Sequence, residues 1–331
     1  MTTEAPATAT APVEAFTFGD PVPVLDGRDL LDYLECWFNG RWYEPPINLD
    51  GLARSIRASV YLESGLKFKR NMLSRTFIPH RLMSRASFEQ FALDWLWSGN
   101  AYLERRRSMI GTALELKPVL AKYMRRGKEG RFFMVHSWQQ EHEFDPGSIC
   151  HLREADINQE IYGMPEWMSA IQSALLNESA TLFRRKYYNN GSHAGFILYM
   201  NDPAQNEDDI NNLRAALKNA KGPGNFRNLF VYSPNGKKDG LQVIPVSEVA
   251  AKDEFHNIKN ISRDDMLAGL RIPPQLMGIV PTNAGGFGSI RDAALVYAAN
   301  ELEPIQTRML QVNDWLGEEV IRFKPYEVPA S

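Results

Sequence analysis

Tyr162-Gly-Met-Pro-Glu-Trp-Met-Ser-Ala-Ile-Gln-Ser-Ala-Leu175 decides the fold when read with a later stretch, Leu270-Arg-Ile-Pro-Pro-Gln-Leu-Met-Gly278. Pro165 stands where a helix begins, because its missing N–H costs little there. Apolar Trp167, Ile171, Ala174, Leu175, Leu182 and Phe183 keep helical spacing to about Tyr188, and Asn189-Asn-Gly191 closes the run. About 24 residues at 1.5 Å each give a rod of roughly 36 Å. A second helix opens at Ser247, with Phe255, Ile258, Ile261, Met266, Leu267 and Leu270 as its apolar positions, and Pro273-Pro274 breaks it. Pro281 to Ser289 holds three glycines and a lone Phe287, too little to bury a core, so a mobile loop is expected.

The rest of the chain is arranged around these rods. Between them lie a strand at Gly195–Met200, a polar helix at Glu207–Ala220 and further strands at Asn228–Tyr232 and Leu241–Val246, an excursion that reads as a small αβ module. Ile290–Leu316 is a long helix in which Leu302, Ile305, Met309, Val312 and Leu316 form a heptad-like seam, and Pro304 should bend it. Upstream, Leu49–Ser64 looks helical. Ser87–Gly99 is a stronger helix, with Ser87 as N-cap, Gln90 at capping-box distance, and Phe88, Phe91, Trp95 and Leu96 as a core stripe. Ala101–Cys150 reads as short strands with basic turns. Residues 1 to about 20 lack Lys and Arg and are rich in Ala, Thr and Pro, which predicts disorder.

Composition excludes several classes. At 44% hydrophobic and 331 residues the chain can build a substantial core, and no apolar run approaches the length of a membrane span. The start lacks the basic and apolar segments of a secretory signal. Cys36 and Cys150 read as two buried thiols. A net charge of −3 argues against a tight grip on phosphates, but suits a channel through which nucleic acid must slide. His136, Glu141, His142, Glu143 and His151 match no metal-ligand spacing. Gly285-Gly-Phe-Gly288 lacks the Lys of a phosphate loop, and no nucleophile elbow is present. No catalytic constellation emerges, and neither a cofactor nor an enzymatic activity is expected.

Two basic groups admit two readings each. Arg184-Arg-Lys186 sits at the C-terminal end of the first rod, where cations complement the helix dipole; alternatively these side chains meet DNA or a neighbouring subunit. Lys218, Lys221, Arg227, Lys237 and Lys238 make the excursion locally basic, either as solvated surface or as a docking face.

The two quoted segments, with Glu303-Pro304 in the last helix, resemble those of tailed-phage portal proteins, specifically the short P2-like/PBSX type with the HK97-type portal fold. The resemblance covers about residues 26 to 320. It implies an α+β portal fold: a disordered tail (1–25), a wing (26–164), a first stem helix (165–191), an αβ clip (192–246), a second stem helix (247–279), a tunnel loop (280–289), and a kinked wing helix with a C-terminal strand (290–331). Any crown would be small or absent, because the chain ends in a strand-like Val320–Val328.

The same resemblance implies a ring, usually of twelve subunits, at one capsid vertex of the virion, assembled in the host cytoplasm. Such a ring is a channel for double-stranded DNA packaging and ejection. Its partners would be the terminase large subunit, the major capsid and scaffold proteins, and head-completion proteins, with no membrane involved. Thr282, Asn283, Ala284, Gly285, Gly286, Phe287, Gly288 and Ser289 would touch the phosphate backbone weakly and without reading sequence. Arg214, Lys218, Lys221, Arg227, Lys237 and Lys238 would face terminase or connector from the clip. Arg184, Arg185, Lys186, Lys252, Lys259 and Arg263 would face DNA or the adjacent subunit along the stem. The rival readings are another ring of the head and neck, such as a connector, and more distantly an enzyme acting on nucleic acid.

Shortening Ala284–Gly288 should leave rings and procapsids intact while impairing packaging or retention of DNA. Heads of such a mutant that fill normally, measured by DNA content, would contradict the loop's role.

Overall fold

A computed structural model of the chain describes residues 36–137, 140–189, 196–200, 241–245, 249–279 and 289–328. The expected tail, most of the excursion with its polar helix, Ser247 and the loop from 280 to 288 lie outside the described residues.

The N-terminal half is a mixed α and β body. Strand β1 (Trp42–Tyr43) precedes helices α1 (Leu49–Ser55), α2 (Val60–Thr76) and α3 (Arg85–Ser98). Strands follow as β2 (Asn100–Arg107), β3 (Ala113–Val119), β4 (Met124–Gly127), β5 (Phe132–Ser137), β6 (Gln140–Glu143) and β7 (Ile149–Arg153). They form a four-stranded antiparallel sheet ordered β1-β4-β5-β6 and a three-stranded antiparallel sheet ordered β3-β2-β7. Phe88, Phe91 and Trp95 of α3 are buried, as the stripe predicted. Phe88 stacks on Phe77 at 4.0 Å, and Phe323 meets Phe88 edge-on at 5.6 Å, which pins the C-terminal segment to the core.

Several local expectations need correction. The helix expected at Leu49–Ser64 is two helices, because Ser59 is extended and caps a new one, its hydroxyl accepting from the Tyr61 amide. Ser84, not Ser87, caps α3: its side chain accepts from the Ser87 amide, so the helix starts one turn earlier. Cys150 is buried, but Cys36 is only half-buried. Val320–Val328 is no strand. It makes one bridge, Phe77↔Phe323, flanked by the bonds Ile78 N–H to Arg322 O and Lys324 N–H to Thr76 O, and Asn313 Oδ1 accepts from the Val320 and Ile321 amides.

After β7 the chain makes a 3₁₀ turn at Glu166–Ala170 and runs into α4 (Ile171–Asn189). Strands β8 (Phe196–Met200) and β9 (Leu241–Pro245) pair antiparallel from Phe196↔Pro245 to Met200↔Leu241. Helix α5 (Val249–Gly269) then returns, and a 3₁₀ turn at Pro274–Met277 follows Pro273. The last helix is not continuous. It runs as α6 (Ile290–Tyr297), a π turn at Ala298–Leu302, α7 (Glu303–Met309) and α8 (Gln311–Leu316). Pro304 has no amide hydrogen to give residue 300 and its ring crowds that carbonyl, and the helix widens into a π turn just ahead of it. Leu302, Ile305, Met309 and Val312 of the seam are buried in this chain's own core.

The Tyr162-Gly-Met-Pro165 motif explains how the first rod leaves the body. Tyr162 donates to the Tyr43 carbonyl (2.5 Å) and accepts from the Arg126 amide (2.9 Å), joining β1 to β4. Asn100 brackets Gly163, accepting from its amide and donating to its carbonyl, both at 2.8 Å. Gly163 crosses the backbone so closely that an added Cβ would lie 2.1 Å from the Gly99 carbonyl oxygen. Gly99 itself is left-handed (φ 71°) and ends α3. Trp167 is buried, and its indole donates to the Trp97 carbonyl (3.1 Å).

Two predictions follow from this packing. Gly163→Ala should lower stability by about 1–3 kcal/mol or more, since backbone rather than a side-chain tip must give way; urea unfolding followed by tryptophan fluorescence checks it. The second concerns Asp94, buried on α3, where desolvation pushes its carboxyl up to about 6 against donors from Trp97 and Ala121. The folded chain therefore holds this proton where the unfolded chain has lost it, so the group's contribution to stability falls as pH rises from about 4 to 6. Relative to Asp94→Asn, the native protein should lose roughly 2–3 kcal/mol across that window, read from urea midpoints at each pH.

Candidate functional site

Helices α4 and α5 lie against each other and run antiparallel. Ser173 donates to Asp265 (2.9 Å), Asn177 donates to Ser262 (2.8 Å), and Gly269 lies against Ala170, where an added Cβ would come within 2.7 Å. This order of contacts places Ala170 and Gly269 at one end, the base, where the pair joins the body. Leu176 and Ile261 of the pair are 51% and 62% exposed. Of the apolar positions read in the second helix, Met266, Leu267 and Leu270 are buried and Ile261 is not.

The cations expected along these helices fall into separate places. Arg184 and Arg185 are exposed. Burial, then the nearby Arg184 charge, lowers the pKa of Lys259. Arg263 is half-buried, bonds Asp264 at 2.8 Å and reaches Asn260 at 3.2 Å, which directs it along its own helix. The side chains of Lys186 and Lys252, the six basic residues of the expected clip (Arg214 to Lys238), and the loop from Thr282 to Gly288 lie outside the described residues. Ser289 is described, and it caps α6 by accepting from the Asp292 amide (3.2 Å).

At the base lies a constellation that sequence reading did not single out. Lys69 of α2, almost wholly buried, forms an ion pair with Glu301 of the π turn and lies 3.7 Å from Glu166 at the start of the first rod. Arg271, just beyond α5, reaches Glu166 and Glu301, each at 3.3 Å. Arg308 of α7 reaches Glu154 after β7 (2.9 Å) and Glu166 (3.3 Å). Three carboxylates thus face three cations, so that the buried Lys69 and Glu301 each have opposite charges beside them. Burial raises the pKa of Glu154, opposed by Arg308 and assisted by Glu166. For Arg271, burial works against the charge, but the carboxylates of Glu166 and Glu301 outweigh it and the net shift is upward. A signal for Lys69 was present: Leu62, Leu66, Lys69 and Leu73 share one helix face, so a lysine stands in an apolar stripe.

Other chemistry is not assembled here. Among the described residues no group of three or more His, Cys, Asp or Glu could hold a metal ion. His151 stacks on Tyr102 at 4.3 Å and bonds Asn100 at 2.9 Å, and burial pushes its pKa down to about 3, so it is a neutral core residue. The cavity beside Lys69, Glu154 and Glu166 measures about 10 Å³, room for a water and not for a substrate. No described helix is long and apolar enough to cross a membrane.

The architecture has solved counterparts. It resembles a chain from the neck of a native gene transfer agent particle computed with C12 symmetry (TM-score 0.64, 19% identity, covering 88% of this chain and 87% of that one). It also resembles the crystal structure of an HK97 family phage portal protein from Corynebacterium diphtheriae (TM-score 0.57, 14% identity, 82% and 94% covered). The fold is thus the α+β fold of HK97-type portal subunits. The family model for phage portal proteins matches residues 64–328, and the chain belongs to that family. It is 54% identical over 323 residues to the probable portal protein of Escherichia phage P2, covering 97% of this chain and 94% of that one. It is 35% identical over 304 residues to the probable portal protein of Haemophilus phage HP1 (strain HP1c1), with 89% and 88% covered.

Proposed function

We propose that this chain is the subunit of a ring, of about twelve copies, set at one vertex of a phage capsid, and that DNA enters and leaves the head through its bore. The observation that carries the reading is the match to a phage P2 portal protein along nearly the whole chain. The antiparallel helix pair, which exposes the apolar Leu176 and Ile261, supports it physically. Apolar side chains exposed on a rigid helix pair favour association, and a contact between unlike faces closes into a ring when the rotation permits. Leu295 and Val296 of α6 are exposed as well and offer a neighbouring copy further apolar side chains.

In this reading residues 26–164 are the wing, 165–191 and 247–279 the stem, 192–246 the clip, 280–289 the tunnel loop, and 290–331 the kinked wing helix with its C-terminal segment. The clip would dock the terminase large subunit and later the head-completion proteins, and capsid and scaffold proteins would meet the outside of the ring. The role is structural, carried out in the virion after assembly in the host cytoplasm. Cargo would be held through weak contacts, in keeping with the charge of −3.

Negative-stain imaging of the purified protein should show rings with a central channel. The double variant Leu176→Lys with Ile261→Lys should keep the unfolding midpoint of the native subunit but fail to form rings. Rings persisting in that variant would place the subunit contact elsewhere, and a native protein that never forms rings would overturn the reading.

A further inference from the structure

The strongest unexplained feature is the meeting of two unusual backbone sites in one charge cluster. Arg271 is a non-glycine residue held left-handed (φ 54°), a conformation that L side chains resist. Glu301 stands in a π turn, a rare irregularity that costs regular helix hydrogen bonding. The two side chains reach each other, Arg271 Nη1 to Glu301 Oε2 at 3.3 Å, and Lys69 holds the second oxygen of the same carboxylate. Pro304 alone calls for a bend; it does not require that the widened turn carry an acid, nor that the acid be 95% buried. The bend could be met by solvated residues at far lower desolvation cost.

We propose that Lys69, Glu301 and Arg271 form an ionic latch that fixes the register of the π turn, and with it the direction of α6 relative to α5. Glu166 and Arg308 extend the latch to the base of α4 and to α7, both 3.3 Å apart and each tied to a further member. Four elements therefore share one joint, α2, the start of the first rod, the segment after α5 and the π-turned helix, and Glu154 after β7 balances its charge through Arg308. With the latch closed the π turn keeps its register. With it open, the extra residue of the turn is free to move along the helix, and each one-residue step would turn the residue it passes by about 100° about the axis and shift the point of the bend. The inference concerns the folded subunit and holds whatever the subunit assembles into.

Hydrogen exchange by mass spectrometry on the full-length protein tests it, with two variants. Glu301→Gln keeps shape and removes the charge. Arg271→Gly removes a largely exposed cation and relieves the left-handed strain, so it should fold in every case. Each variant should speed exchange of the Ala298–Ile305 amides by about tenfold or more, while the α3 amides Phe88–Trp95 exchange as in the native protein. Unchanged exchange at Ala298–Ile305 in Arg271→Gly would overturn the latch. So would equal acceleration across α3, which would make the cluster a general contributor to stability. Should Glu301→Gln fail to fold, Arg271→Gly alone decides.

Discussion

Lys69 carries a positive charge into an interior where it is almost entirely removed from water, and the geometry of the subunit is arranged so that this is tolerable. Stripping a charge of its hydration costs several kcal/mol unless opposite charges and hydrogen bonds replace it. Here the replacement comes from Glu301 and Glu166, which bring with them the π turn and the beginning of the first rod. Their own surplus charge is met by Arg271 and Arg308. Because Glu166 pairs with three cations and Glu301 with two, the cluster cross-links the N-terminal body, the rods and the bent helix in one relative placement.

Close backbone packing does the corresponding work on the apolar side of the same joint. Gly163 slides past Gly99 and Glu154 at distances that no Cβ would permit, and Gly269 does the same against Ala170. Gly65 opens a slot on α2 that Leu270 fills. These three glycines let the rods start and end flush against the body, and Trp167, Leu270 and Ile272 then bury themselves there. The rods leave a rigid platform, which is what a subunit needs if its outer face is to meet another copy in a fixed orientation.

Periodicity made the helices legible. The stripe of Phe88, Phe91 and Trp95 and the seam from Leu302 to Val312 could be read directly, because burial of one helix face leaves a repeat in the residue order. Caps were less legible: Ser84 and Ser87 are equivalent as residue types, and only the hydrogen bond from the Ser87 amide distinguishes them. Ser59 interrupts what reads as one helix, since nothing local shows that its hydroxyl contacts Asn177 of the first rod. Val320–Val328 has the composition of a strand, but a strand exists only where a partner offers a ladder, and a single bridge at Phe77↔Phe323 is all it receives.

The order of elements, the two rods, the Pro-Pro break after Arg271 and the bend required by Pro304 are properties of the chain alone, because φ restriction, missing amide hydrogens and apolar spacing act between near neighbours. The charge cluster was settled only in three dimensions. Its six members come from positions as far apart as Lys69 and Arg308, and none is unusual beside its immediate neighbours except the lysine in the α2 stripe. Electrostatic compensation depends on distance through space and on the loss of water around all the charges at once, and neither quantity is written in residue order.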